Sequence, residues 1–252
     1  MRNFEYLAPK STSDAVRAGS APDSRFIAGG TLLVDLMRLG VERPGLVIDL
    51  NTSLSSEMKW TNECLVIGAL VKNSDLADDD AVARELPVLS QALLSGASPQ
   101  IRNMATVGGN LLQRTRCAYF RDPTVAACNK REPGTGCAAI EGHSRMHAIL
   151  GTSEHCIATH PSDMAVALLA LDAHVQTHGP RGERKLALAE LWLLPGNTPA
   201  QEHNLERGEI ITAVLIPRVP APRRSAYVKV RDRAEFAFAL ASAAVVLQVN
   251  GS

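Results

Sequence analysis

Runs of apolar residues punctuated by glycine and capping residues predict a small β-α-β unit in the first 50 positions. Ser11-Thr-Ser-Asp14 reads as a capping box that opens a short helix through Ala18. Arg25 to Ala28 reads as a short strand and Gly29-Gly30 as a tight loop. Thr31 then caps a helix whose apolar face is Leu32, Leu33, Leu36 and Met37, and Gly40 closes it. Leu46 to Leu50 is the next strand. Cys64 to Leu70 is an apolar strand-like run in which Cys64 reads as a buried core thiol, and residues 74 to 96 carry helical patterning broken at Pro87.

From Thr106 to about Thr159 the periodicity disappears into a glycine- and arginine-rich stretch. A structureless segment of that length within a compact domain is usually functional. Periodicity returns as a helix over Pro161 to Ala173, with Pro161 or Ser162 near its start. A hairpin follows, Ala173–His178 and Lys185–Leu188 around Gly179-Pro-Arg-Gly182, then a strand over Glu209 to Ile216 ended by Pro217. PRVPAPRR, residues 217 to 224, reads as a linker, after which Ala226–Val230 and Ala237–Val249 begin a new unit. The expected division is residues 1–52, 53–219 with an insertion at about 113–157, and 220–252 as the start of a C-terminal lobe.

Composition narrows the function. Lys+Arg and Asp+Glu both number 26, so the chain lacks the positive excess that phosphate backbones draw on, and nucleic acid is not an expected partner. The N-terminal MRNFEYLAPKST lacks the apolar core of a signal peptide, and the weakly polar run Phe236–Leu247 is too short to span a bilayer. The expectation is a chain without its own export or membrane signal.

Two loops carry candidate chemistry, Ile27-Ala-Gly-Gly-Thr-Leu32 and Thr106-Val-Gly-Gly-Asn-Leu111. Paired glycines let backbone N–H groups approach a ligand, and a hydroxyl beside them adds a donor for phosphate. Each alone could be a tight turn; two in one chain could hold a pyrophosphate from both sides. A dinucleotide-binding layout competes, with Asp49 ending a strand twenty residues after Gly29. It is disfavoured because the loop lacks G-x-G-x-x-G and the later strands do not alternate with helices.

IAGGTLLVDLM, IGALVKNSDL, TVGGNLLQ and THPSDMAVAL together resemble the flavin-binding subunit of the molybdenum hydroxylases, the xanthine dehydrogenase and aldehyde oxidase family, from about residue 3 to 249. The resemblance implies an α+β, two-lobed FAD-binding fold of the PCMH (vanillyl-alcohol oxidase-like) type, with an incomplete C-terminal lobe. It implies that Ile27, Ala28, Gly29, Gly30, Thr31, Leu32 and Leu33 wrap the FAD diphosphate. Thr106, Gly108, Gly109 and Asn110 would hold its other side. Asp163 would contact the cofactor, Ile211 its adenine end and Lys229 the region of the isoalloxazine. Without the family, Asp163 reads as a helix cap and Lys229 as a solvated strand lysine. The implied partners are a [2Fe-2S] small subunit and a molybdopterin-cofactor large subunit. The implied compartment is the cytoplasm, or the periplasm by co-export with a partner.

Cys117, Cys128, Cys137 and Cys156 fall within the aperiodic stretch, separated by 10, 8 and 18 residues. Four thiols suit zinc or an iron–sulfur cluster, yet neither the short C-x-x-C knuckle of zinc sites nor the ferredoxin run is present. His143, His147, His155 and His160 lie nearby and could replace a thiolate. Residues 113 to 157 hold six Lys/Arg against four Asp/Glu, with Arg114, Arg116, Lys130 and Arg131 beside the cysteines, which suits an anionic cluster. Members of the resembled family with such an insertion, those of the aldehyde oxidoreductase kind, bind a [4Fe-4S] cluster, and the four cysteines match its ligands. The rival class is a zinc-stabilised binding or scaffold module without redox activity.

Overall fold

In the computed structural model, residues 1–218 and 223–248 are described. The chain opens with β1 (Glu5–Leu7), α1 (Thr12–Gly19), β2 (Ser24–Ile27), α2 (Leu33–Leu39) and β3 (Leu46–Asp49). These strands form a parallel sheet of order β1-β3-β2. Ser11 caps α1, its hydroxyl accepting from the Asp14 amide at 3.1 Å. Gly40 ends α2 in the left-handed region at φ 75°, where its amide reaches the Leu36 and Met37 carbonyls. Thr31 does not cap α2 as expected. The N-cap position is Leu32, with no side-chain cap, so the glycine loop runs one residue further before helix begins.

The second lobe is a five-stranded antiparallel sheet of order β4-β5-β8-β6-β7, from β4 (Met58–Trp60), β5 (Cys64–Gly68), β6 (His174–Gly179), β7 (Gly182–Ala187) and β8 (Ile210–Pro217). Between β5 and β6 come α3 (Asn73–Asp78), α4 (Asp80–Glu85), α5 (Pro87–Ser95), α6 (Pro99–Arg102), α7 (Val107–Leu111), α8 (Ala118–Arg121) and α9 (Asp163–Ala170). Pro87 starts α5 rather than kinking one long helix, because a proline needs no amide partner in a first turn. Leu65, Ile67, Leu89, Leu111, Met164, Leu168 and Val214 form the centre of the main core. Cys64 is half-buried rather than a core thiol, since it sits at the end of β5 opposite Pro217.

After Pro217, residues 219–222 of the expected linker lie outside the described residues, as does Val249 of the last expected element. β9 (Arg223–Val230) and β10 (Ala241–Gln248) pair as an antiparallel hairpin against α5 and α9. Tyr227, Ala244 and Val246 turn inward and join the main core. Alternation sends Val228, Val230, Val245 and Leu247 outward. No helix among the described residues is long and apolar enough to cross a membrane.

Candidate functional site

The two glycine loops meet. A Cβ on Gly29 would stand 1.8 Å from the Met104 carbonyl oxygen, so the first loop lies directly against the backbone leading into the second. Gly30 adopts φ 71°, a conformation that favours glycine. The first helical bond of α2 runs from the Val34 amide to the Gly30 carbonyl, leaving the preceding amides outside the helix. The second motif is not an open loop, as its glycines suggested, but the first turn of α7. Thr106 caps it, accepting from the Gly109 amide at 3.3 Å, while the Gly108 amide donates to Ala69 at 2.9 Å. A Cβ on Gly108 would come within 3.0 Å of the Ala69 side chain, so the glycine lets α7 lie close on the end of β5.

Beside these loops lies a cavity of about 550 Å³, within the range of cofactor and ligand pockets. Ile27, Ala28, Gly29, Gly30, Thr31, Leu32 and Leu33 form one wall, and Thr106, Gly108, Gly109 and Asn110 another. Asp163, Ile211 and Lys229 also line it, so the structure brings all fourteen expected cofactor residues to one space. The Asn110 side-chain oxygen accepts from the Gln113 side-chain amide at 3.0 Å and from the Ser162 hydroxyl at 2.5 Å.

Asp163 and Lys229 differ from their expected bland roles. Ser162, not Asp163, caps α9, accepting from the Ala165 amide at 3.0 Å. The Asp163 carboxylate instead accepts from Lys229 Nζ at 2.8 Å and the Tyr227 hydroxyl at 2.5 Å. Lys229 also donates to the Ser95 carbonyl at 3.0 Å, and only 4% of its side chain is exposed. Burial, then donation to Asp163, pushes the Tyr227 phenol well above its ordinary range.

Substituting Gly29 by alanine sets a side chain against rigid backbone. The expected cost is about 1–3 kcal/mol, a Tm lower by roughly 2–12 °C, with most of the flavin lost. Gly109→Ala, whose Cβ meets only the Thr106 hydroxyl at 3.0 Å, should hold its Tm within about 2 °C. Thermal unfolding and flavin content of the two variants check the contrast; equal behaviour would refute it.

The four cysteines of the aperiodic stretch converge on a second, smaller pocket. Cys128 and Cys137 face each other across an antiparallel bridge, flanked by Asn129 N–H to Gly136 O at 2.7 Å and Ala138 N–H to Ala127 O at 3.0 Å. Asn129 ties this turn, its side-chain oxygen accepting from Gly134 and Gly136 and its amide donating to His155 O. Cys117 sits ahead of α8, and the Ala158 amide points at the Cys156 sulfur, 3.5 Å away. Burial pushes both the Cys117 and Cys156 thiols up. His147 lies 3.1 Å from the Cys117 sulfur, and His155 lines the pocket. The His160 ring faces the Leu111 carbonyl at 3.2 Å, and His143 donates its backbone amide to the Tyr119 hydroxyl at 2.6 Å.

The pocket gathers four thiols, an amide aimed at sulfur, and Lys130 on the wall, donor types on which iron–sulfur clusters draw. The space among them is about 10 Å³, room for about one water, so a larger group is accommodated only as the thiol side chains turn outward. Among the described residues no three His, Cys, Asp or Glu side chains stand close enough to grip one ion, as tetrahedral zinc requires.

The basic residues expected to serve as counter-charges mostly have other partners. Arg114 bridges Glu42 and Glu202, and Lys130 pairs with Glu202 at 3.1 Å. Arg25 completes the chain at Glu42, 2.9 Å. Burial opposes the Glu202 charge, but Arg114 and Lys130 outweigh it and hold the carboxyl below its usual range. Arg131 is spent on the carbonyls of Tyr119, Phe120 and Val125.

The two sites adjoin. Arg116 lines the large cavity and Cys117, its neighbour in the chain, lines the small one. Leu32 of the first glycine loop packs on the small core of Leu36, Phe120 and Cys128. Arg116, Arg102, Asp35, Phe236 and Phe238 line the large cavity and were not anticipated as cofactor residues. The signal for Arg116 was present but pointed toward the cysteines.

With fold and cavity defined, comparison with known proteins places the chain in a class. Residues 2–219 match the FAD binding domain in molybdopterin dehydrogenase, and the chain belongs to that family, as an oxidoreductase subunit that binds FAD. It is 52% identical over 255 residues to the aldehyde oxidoreductase FAD-binding subunit PaoB of Escherichia coli (strain K12), covering 100% of this chain and 80% of that protein. The carbon monoxide dehydrogenase medium chain of Afipia carboxidovorans is 29% identical over 252 residues, 99% of this chain and 70% of the relative. Among solved structures, a Cu,Mo-CO dehydrogenase chain superposes with a TM-score of 0.73 at 27% identity, over 100% of this chain and 71% of that one.

Proposed function

We propose that this chain is the FAD- and [4Fe-4S]-binding electron-transfer subunit of a molybdenum-containing aldehyde oxidoreductase. Its role would be to pass electrons from [2Fe-2S] centres of a small partner subunit to an external acceptor, while a molybdopterin-cofactor large subunit oxidises the substrate. The observation that carries the reading is the single cavity on which both glycine loops, Asp163, Ile211 and Lys229 converge. The 52% identity to an aldehyde oxidoreductase FAD-binding subunit supports the choice of aldehyde.

FAD supplies two-electron and one-electron redox chemistry in one group, which suits it to join the two kinds of carrier. The chain's own residues do the rest. Backbone amides of Gly30 to Leu33 bind the diphosphate from one side. The Thr106–Asn110 turn, whose own amides are taken by Val71, Ala69 and Thr106, closes the other side as a close-packed wall. Ile27, Leu33 and Ile211 exclude water from the bound nucleotide. Lys229 and Asp163 form a fixed, mutually neutralising ion pair in the cavity wall. Cys117, Cys128, Cys137 and Cys156 hold the cluster against the same wall. The compartment would follow the partners, cytoplasmic or periplasmic by co-export.

The test is anaerobic co-purification with the partner subunits, followed by flavin, iron and acid-labile sulfide analysis of this chain. Expected are one FAD and about four iron atoms with matching sulfide per chain, and no aldehyde oxidation by this chain alone. Stoichiometric zinc without sulfide would overturn the cluster assignment. Aldehyde oxidation by the isolated chain would overturn the division of labour.

A further inference from the structure

The ionisable groups on the wall of the large cavity are Asp35, Arg102, Arg116, Asp163, Glu209 and Lys229. Asp163 and Lys229 neutralise each other. Glu209 is taken by Arg184 at 2.6 Å and by the Thr177 hydroxyl. Asp35 is taken by Arg121. Arg102 donates to the Gly96 carbonyl at 2.8 Å. Arg102 is held by backbone carbonyls at the cavity rim, whereas Arg116 depends on a carboxylate that is already engaged. Its guanidinium is 3.7 Å from the same Asp35 carboxylate, too far for a hydrogen bond, so two arginines share one negative charge. Its Nε–H is enclosed and has no hydrogen-bond partner among the described residues. The guanidinium carbon lies 5.1 Å from the Phe238 ring, which holds the side chain against the cavity. A guanidinium in the wall of a nucleotide-sized cavity that, among the described residues, shares its only carboxylate with a second arginine is under-compensated, and an anion in that cavity completes its charge.

We propose that Arg116 is a cofactor-contacting residue, whose guanidinium binds an anionic group of the flavin nucleotide. The shared chemistry is a delocalised oxyanion, presented either by the diphosphate or by the reduced ring. This rests on the reading that FAD fills the large cavity. Thr115 and Cys117 flank it, so the residue also fixes the strip of backbone separating the flavin from the cysteine pocket.

The experiment uses the full chain, stripped of flavin and titrated with FAD, with the bound flavin's potential measured by spectroelectrochemistry. Arg116→Gln is expected to weaken FAD binding by about tenfold to a hundredfold, the effect of one lost charge-assisted contact, and Arg116→Lys to recover part of it. If the partner is the diphosphate, oxidised and reduced FAD weaken equally and the potential stays. If it is the reduced ring, the reduced form weakens more and the potential falls by about 30 mV per tenfold. Asp35→Asn releases Arg116 from its shared carboxylate and should tighten FAD binding; it decides the matter if Arg116→Gln does not fold. Unchanged affinity and potential in Arg116→Gln, or unchanged or weaker binding in Asp35→Asn, overturns the proposal. Wild-type chain that takes up no FAD would instead overturn the reading of the cavity itself.

Discussion

A Lys229→Ala variant is expected to lose about 3–5 kcal/mol of folding stability, because it strips the partner from a buried carboxylate rather than merely removing a contact. Asp163 is 9% exposed at its side chain, and its oxygens face Lys229 at 2.8 Å and the Tyr227 hydroxyl at 2.5 Å. After substitution only the hydroxyl remains, and one neutral donor does not balance a charge out of water. The pair also connects elements distant in the chain, α9 with β9, and β9 with the end of α5 through Ser95. Replacing both partners, Lys229→Met with Asp163→Asn, keeps the Tyr227 hydrogen bond and removes the orphaned charge. More than half of the lost stability should return. Denaturant unfolding of the two singles and the double measures this coupling directly. If the double is no more stable than Lys229→Ala, the loss comes from packing and the charge argument fails.

Cys137→Ser is expected to remove about four iron atoms per chain while leaving FAD in place. Cys128→Ser should remove the iron too, but with some loss of flavin. The difference has a structural cause. Cys128 is buried with Leu36 and Phe120 in the small core on which Leu32 of the first glycine loop rests, whereas Cys137 lies outside it. A serine hydroxyl at Cys128 therefore disturbs the flavin wall as well as the thiol set. Cys64→Ser, on β5, should leave iron unchanged. Iron, sulfide and flavin assays on anaerobically prepared protein check all three. Iron retained by both Cys128→Ser and Cys137→Ser would refute the ligand assignment.

Elements whose signals are local were legible in the sequence. Ser11, Gly40 and Pro87 mark helix ends by hydrogen-bonding rules that act within a few residues, and α1, α2 and α5 begin or stop there. The short strands β1 and β4 were not anticipated, since three residues are too few to show a period of two. Glycine disfavours helix, so the local signal over Thr106 to Asn110 is a loop, yet contacts to Ala69 and Val71 hold that turn helical. The convergence of Asp163 with Lys229 spans 66 residues, and no local pattern predicts it. The arginines near the cysteines illustrate the same limit: their partners Asp35, Glu42 and Glu202 lie far away in the chain.

Those distant carboxylates also impose an order on biogenesis. Arg121 and Arg114 reach back to Asp35 and Glu42, which are synthesised first, whereas Arg114 and Lys130 also need Glu202, which emerges more than 70 residues after the latter. On the ribosome the N-terminal β-α-β lobe has therefore emerged, short only of Leu70 and Ile210 in its core, while the cysteine segment still lacks its downstream anchor. The thiols stay open to donors and to oxidants through that interval. The cysteine segment, and the packing of Cys128 on Leu32 and Leu36, gains its final anchor only once Glu202 has emerged.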